Sequence, residues 1–401
     1  MMRRFWLSMA VPLMVLVAAA SGMAQQATVP VTVNPAAHYQ TIRGWGATAN
    51  KLSPIIAVRD QLLDTAINDL GLTRLRWEPP RREWEDVLDD DGDPYHIEWS
   101  AFKTAIAEEK AREIILPFKQ RVEANGDPFS LYISPSFFDG GSTGSAPSWM
   151  LNNPAEYTEW ATAFLLLLKQ RYGIVPDYYC VCNEAGNNNA FTPERVGAII
   201  KTLGPALRAL GLPTRIQFPE GVNSGVSWRY IQTLRNDPAV WPYIGLLSYH
   251  LYGDGSARPL IRDFAAARGI PTAQTEFMGT TVDHLYEDLT QGNVSYWEHY
   301  GLAGPWGGNG TYFTTALNGT SFRPYSQYWN FRQVMHYVRP GAVRVEAVSG
   351  DPAVRTLAFT RQGKLTVVLI NTAPAAAERI VTVSGLPDGN YGVCATVGNR
   401  P

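Results

Sequence analysis

Residues 178–220 read YYCVCNEAGNNNAFTPERVGAIIKTLGPALRALGLPTRIQFPE, and this stretch decides the fold class. It opens on a strand-like apolar run, Tyr178 to Glu184, followed by a polar loop. Thr192 then offers an N-cap hydroxyl, with Pro193 at the first helical position where a missing N–H costs nothing. Val196, Ile199, Ile200, Leu203, Leu207 and Leu210 recur with the helical period, and Gly211 closes the element. A second apolar run, Arg215 to Glu220, comes next. Strand, amphipathic helix and strand in that order are the repeating unit of a parallel sheet wound by helices.

Outward from this unit the alternation continues in both directions. Strand-like runs are Ile42 to Thr48, Thr73 to Glu78, Leu131 to Pro135, Tyr178 to Glu184, Arg215 to Glu220, Gly245 to Tyr252, Thr272 to Glu276 and Val294 to Tyr300, eight in all. Between the third and fourth, Pro154 opens a helix whose apolar set Tyr157, Trp160, Ala161, Phe164, Leu167 and Leu168 keeps the 3.6-residue period. Eight such units within about 300 residues fit a closed (β/α)8 TIM barrel better than an open sheet. Neither a dinucleotide fingerprint nor a phosphate loop is present, which weighs against the open alternative.

The flanks read differently. Residues 1–24 carry Arg3 and Arg4, an apolar run and a small-residue site at Ala24, the pattern of a cleaved export signal; a secreted or periplasmic location is expected. Residues 25–41 hold an alternating strand, Val29 to Val33. Residues 42–337 form the expected barrel. From 338 to 401 short alternating runs, Val343 to Val348, Thr356 to Thr360, Leu365 to Asn371, Arg379 to Val383 and Tyr391 to Ala395, predict a small C-terminal β-sandwich side domain, which the strand before the barrel would join. Its last strand lies so near the end that truncation is one reading.

A net charge of −2 with 17% charged residues leaves no electrostatic footprint for nucleic acid. After the leader no segment is long and apolar enough to span a bilayer. A neutral partner and a monomer are expected. Three cysteines cannot build a disulfide framework, and six scattered histidines lack metal-ligand spacing, so neither metal nor cofactor is expected. The 12 tryptophans, many beside Gly, Pro or Ser, suit stacking on sugar rings but are equally ordinary core material.

Catalytic groups of such barrels stand where strands run into the following loops. The acids at those ends are Glu78, Glu184, Glu220, Glu276 and Glu298. Two carboxyls facing each other across the barrel could cleave a glycosidic bond, one protonating the leaving oxygen while the other attacks the anomeric carbon. Strands four and seven lie nearly opposite, which favours Glu184 and Glu276. Either could instead cap a helix or pair with an arginine.

Several segments together resemble glycoside hydrolase family 30 of clan A: Leu70-Gly71-Leu72-Thr73-Arg74-Leu75-Arg76, Ala146-Pro147-Ser148-Trp149-Met150, Asn183-Glu184, His250-Leu251-Tyr252, Glu276, and Tyr337 to Val345 with its Arg339-Pro340-Gly341 core. The resemblance implies a retaining β-glycosidase. Glu184 would be acid/base, its pKa raised to keep its proton, and Glu276 the nucleophile, held ionised by Arg76 and Tyr252. Asn183 would bind the sugar 2-hydroxyl and His250 would line the pocket. Trp149, Trp297 and Trp45 would stack on sugar, and Tyr300 and Asn50 would stand on the rim. Retention calls for carboxyls roughly 5 to 5.5 Å apart. The implied partner is a β-linked polysaccharide or oligosaccharide. A transglycosylase using the same residues, or a non-catalytic carbohydrate-binding barrel, stays open. The sequence departs from the family at the Phe137 to Ser145 insertion, at Asn50 and at Tyr300, all on the sugar-reading rim.

Overall fold

A computed structural model describes residues 13–16 (backbone only), 28–49, 57–79, 84, 91, 93–137, 145–304, 310–316, 318–325, 327–373 and 379–397. Eight parallel strands close into a barrel. They are β1 (Gly44–Thr48), β2 (Arg74–Trp77), β3 (Ser130–Ile133), β4 (Tyr178–Cys180), β5 (Arg215–Gly221), β6 (Ile244–His250), β7 (Thr272–Glu276) and β8 (Val294–Gly304). Each pairs with the next, and β8 returns to β1 through Tyr296–Gly44 and Trp297–Trp45. The expected fold class is therefore the observed one, with strand ends shifted by a few residues.

Helices cover the strands, each set by local capping and apolar periodicity. Asn153 caps α1 (Pro154–Tyr172) by accepting from the Ala155 N–H at 3.1 Å, and Gly173 ends it in the left-handed conformation. Its buried set includes Tyr157, Trp160, Phe164, Leu167 and Leu168, each side chain worth roughly 1.5–3 kcal/mol when removed from water. Thr192 caps α2 (Pro193–Ala209), and the helix continues through Pro205. Tyr243 lies against the bare face of Gly204, where a Cβ would sit 2.2 Å from the ring.

The side domain is, among the described residues, one curled six-stranded sheet rather than two stacked layers. Its order is Leu13–Leu16, Ile380–Ser384, Thr28–Thr41, Val343–Ser349, Val354–Arg361, Lys364–Asn371. Thr28–Thr41 runs antiparallel to Val343–Ser349 and parallel to Ile380–Ser384. One face gathers Val29, Val31, Val33, Val345, Ala358, Val381 and Val383 into its own cluster, while Leu357, Phe359 and Val368 join the barrel core. The expected strand Tyr391 to Ala395 is not formed, and the Tyr391 hydroxyl instead donates to the Pro387 carbonyl at 2.6 Å. Within the stretch read as a leader, Leu13–Leu16 is the described part, an edge strand antiparallel to Ile380–Ser384.

The Arg-Pro-Gly segment locks the two parts together. Arg339 donates to Asp127 at 2.5 Å, and the Gly341 N–H donates to the Ile42 carbonyl at 2.8 Å. Gly71, at φ +99°, lets the chain pass the Met335 carbonyl, which a Cβ would meet at 2.4 Å. The segment after β8 carries two short strands, Thr311–Thr315 and Phe322–Pro324, extending the sheet beyond β8.

Candidate active site

Alternation along β2 sends Arg74, Arg76 and Glu78 to the barrel interior. Arg74 forms the deeper layer. It donates to Gln217 at 2.9 Å, stands 3.3 Å from Glu298, and lies 4.1 Å from the ring centroids of both Tyr132 and Tyr296. Room for Glu298 comes from Gly46, where a Cβ would fall 2.6 Å from its Cγ.

That same alternation removes two expected sugar contacts. With Gly46 and Glu298 inward, Trp45 and Trp297 must point outward. Both are wholly buried; Trp45 Nε1 donates to the Val338 carbonyl at 2.6 Å and Trp297 Nε1 to Asp288 at 2.9 Å. They pack barrel against helices and cannot stack on a sugar in the mouth.

Arg76 organises the layer above. Its Nη1 donates to Glu276 Oε2 and its Nη2 to Asn183 Oδ1, and Nη2 also lies 2.9 Å from Glu78 Oε1 and 3.5 Å from Glu220 Oε1. Tyr252 donates to the other oxygen of Glu276 at 2.8 Å. With Asn183 Oδ1 engaged, its NH2 is the end able to donate elsewhere.

His250, at the end of β6, ties the acids together. Its Nδ1 lies 3.3 Å from Glu184 Oε1 and 3.9 Å from Glu276 Oε2, and its Nε2 lies 3.4 Å from Glu220 Oε1. One oxygen of Glu184 and one of Glu276 come within 4.8 Å of each other. Asn187 donates to the remaining Glu184 oxygen at 2.7 Å.

Glu184 and Glu220 both adopt left-handed backbone, φ 53° and 56°, which costs a non-glycine residue energy and re-aims its side chain at the end of the strand. The residues after them, Ala185 and Gly221, pair with each other, so the two turns are held side by side. No sequence pattern announced this. Glu220 accepts from Ser134 at 2.7 Å and from Tyr132 at 3.3 Å.

The electrostatics follow from this crowding. Burial alone would raise Glu220, but Arg76 and then His250 outweigh it and hold it at about 2. Burial would depress His250; the charge of Glu276 and the hydrogen bonds to Glu184 and Glu220 push it up to about 9 instead. Glu78 is pushed up to about 7, chiefly by burial, with Arg76 opposing and Glu276 and Glu220 reinforcing. Burial and Arg74 act in the same opposed senses on Glu298, leaving it at about 7. Glu184 departs from expectation. Burial would raise it, yet the hydrogen bond and charge of His250 bring it below the ordinary carboxylate range. A protonated imidazole beside it is the reason.

Of the remaining expected residues, Tyr300 faces the cluster, its hydroxyl pushed up first by Glu78, then by burial and Glu276. Trp149 is half-buried on the short helix Ser148–Asn152, packed on the barrel core. Asn50 and most of the Phe137 to Ser145 insertion lie outside the described residues. Tyr132, Ser134 and Asn187 went unread, because single polar residues on strands and loops carry no spacing signal.

No family model and no curated protein sequence matches the chain. Solved structures do. An endo-β1,6-glucanase superposes with a TM-score of 0.68 at 20% identity, covering 92% of each chain. A glycoside hydrolase family 30 subfamily 8 xylanase from Clostridium acetobutylicum gives 0.67 at 20% identity over 90% of this chain and 89% of its own. A conserved exported protein from Bacteroides fragilis gives 0.65 at 14% identity over 88% and 91%. The chain thus shares the fold of these structures.

Proposed function

We propose that this protein is an exported, retaining β-glycoside hydrolase acting on β-linked polysaccharide or oligosaccharide, with Glu184 as acid/base and Glu276 as nucleophile. The observation that carries the reading is the approach of these two carboxylates to within 4.8 Å in the barrel mouth, with Arg76 and Tyr252 on Glu276. So close a pair leaves no room for an attacking water between them, which suits double displacement rather than inversion. The activities named for the glucanase and the xylanase support the same class.

In the first step an oxygen of Glu276 bonds to the anomeric carbon while the glycosidic oxygen leaves with a proton from Glu184. In the second, Glu184 takes a proton from water, whose oxygen displaces Glu276. Glu184 is held low in the free protein, so it must acquire its proton. His250 carries one 3.3 Å away. Transfer from Nδ1 to Oε1 turns an imidazolium and a carboxylate into neutral imidazole and carboxylic acid, and a sugar that excludes water favours the neutral pair. Asn183 would donate to the 2-hydroxyl, and Tyr300 and Trp149 would border the sugar.

Residues 1–24 are read as an export leader on Arg3, Arg4 and the small-residue site at Ala24. Among the described residues no helix is long and apolar enough to cross a membrane. Chromatography of products from a panel of β-glycans, with NMR of the newly released anomer, tests the whole reading. A β-anomer appearing first supports it. An α-anomer, or glycan binding without cleavage, overturns it.

A further inference from the structure

We propose that Glu78 is a positioning residue for Glu276 acting through Arg76: the two carboxylates share one guanidinium, and the share Glu78 takes sets how tightly Arg76 holds Glu276. The functional meaning rests on Glu276 being the nucleophile; the coupling itself does not.

The geometry is specific. Arg76 is wholly buried and Glu78 nearly so. Nη2 reaches Glu78 Oε1 at 2.9 Å while Nη1 donates to Glu276 Oε2, so the two acids grip different nitrogens of one planar cation. Both members of the Arg76–Glu78 pair stand on the inward face at the end of β2, two residues apart, and the strand fixes their separation. In a site that excludes water, a charge on one carboxylate is felt strongly by the other.

Among the described residues, the charged and titratable groups facing Glu78 include Arg76, Glu276, Glu220, His250 and the Tyr300 hydroxyl. Burial places the Glu78 titration at about 7, so both of its states are populated near neutral pH. Protonated Glu78 leaves the Arg76 charge to Glu276, Glu220 and Asn183. Ionised Glu78 draws that charge toward itself and loosens the hold on Glu276, which becomes the better electron donor. Once Glu276 is esterified and its own charge is gone, an ionised Glu78 still balances Arg76. Glu78 would thus favour attack without stranding the buried cation afterwards.

Protein carrying 13C-carboxyl glutamate tests the coupling without any turnover. The Glu276 signal is identified by its loss in Glu276→Gln and followed from pH 5 to 9. In the wild type it should shift near neutral pH, where Glu78 titrates, and in Glu78→Gln that step should vanish. Where substrate is cleaved, kcat/KM of the two proteins should converge below about pH 6 and diverge by about threefold or more above pH 8, equivalent to half a pKa unit. A structural defect would lower kcat/KM by the same factor at every pH. A step that persists unchanged in Glu78→Gln, or a wild-type signal with no step, overturns the proposal. Should Glu78→Gln fail to fold, Glu78→Asp serves instead: the step must move its midpoint, and an unmoved midpoint overturns it. Loss of the step in a protein that cleaves no glycan supports the coupling while defeating the glycosidase reading.

Discussion

His250 bridges Glu184 and Glu220 with opposite ring nitrogens, Nδ1 at 3.3 Å from one and Nε2 at 3.4 Å from the other. A ring held this way donates from both nitrogens, and the protonated form is the one that satisfies both carboxylates. The sign of the pH dependence follows. The folded value, about 9, lies above the ordinary 6.5, so the stability contributed by protonation is full below pH 6.5 and is lost as pH rises toward 9. The effect is on the order of 3 kcal/mol for a shift of this size. Thermal unfolding of the wild type should therefore weaken across that window, and His250→Gln should flatten the slope. Equal slopes in the two proteins would show that the imidazole is neutral.

Trp45 and Trp297 are expected to matter for stability and not for substrate. Trp297→Phe removes the donor to buried Asp288, leaving an acceptor poorly satisfied at a cost of roughly 1–3 kcal/mol. Trp45→Ala opens a cavity against Val338 and should cost about 3–5 kcal/mol. Denaturant midpoints should fall in both, while KM of the folded variants for any glycan they cleave stays within about twofold, under the energy of a lost stacking contact. A tenfold rise in KM with an unchanged midpoint would return these rings to the sugar site.

These two tryptophans mark where legibility ended. The eight strands were readable because a parallel barrel strand is a short apolar run between amphipathic helices, and that pattern is local. Which face each residue takes is not local. Trp45 between two glycines looks like an exposed platform, and only its pairing with Trp297 beside the inward Glu298 shows that Gly46 makes room for a carboxylate. The list of acids at strand ends came from sequence, as did Arg76 and Tyr252 through family resemblance. The low value of Glu184 could not be read, because it depends on a histidine 66 positions away. The single curled sheet of the side domain likewise depends on which strands meet.

The side domain should be required for solubility. Leu357, Phe359 and Val368 cover part of the barrel core, and Val343–Ser349 pairs with the long strand Thr28–Thr41. Deleting residues 343–401 strips both, exposing apolar surface and an unpaired strand edge, each a route to aggregation. The truncated protein should be recovered in the insoluble fraction. Soluble truncated protein with wild-type activity would show that the barrel stands alone.

The division of labour between the two glutamates gives the most discriminating test. On the proposed mechanism Glu276→Gln removes the oxygen that bonds to the anomeric carbon, and it also leaves Arg76 and Tyr252 facing an amide in place of a carboxylate. Its loss of activity should persist with every leaving group. Glu184→Gln leaves Glu276 and its two partners in place, and on the same mechanism removes the proton donor of the first step and the base of the second. An aryl glycoside whose phenol departs without protonation should still release it in a burst, then stall. Azide needs no base, so added azide should restore turnover. The glycosyl azide should be β, because Glu276 occupies the α face of the intermediate and azide must enter opposite to it. A β azide formed by Glu276→Gln, or an α azide formed by Glu184→Gln, would mean that the roles are exchanged. Rescue of neither variant, with both folded, would remove the pair from the chemistry altogether.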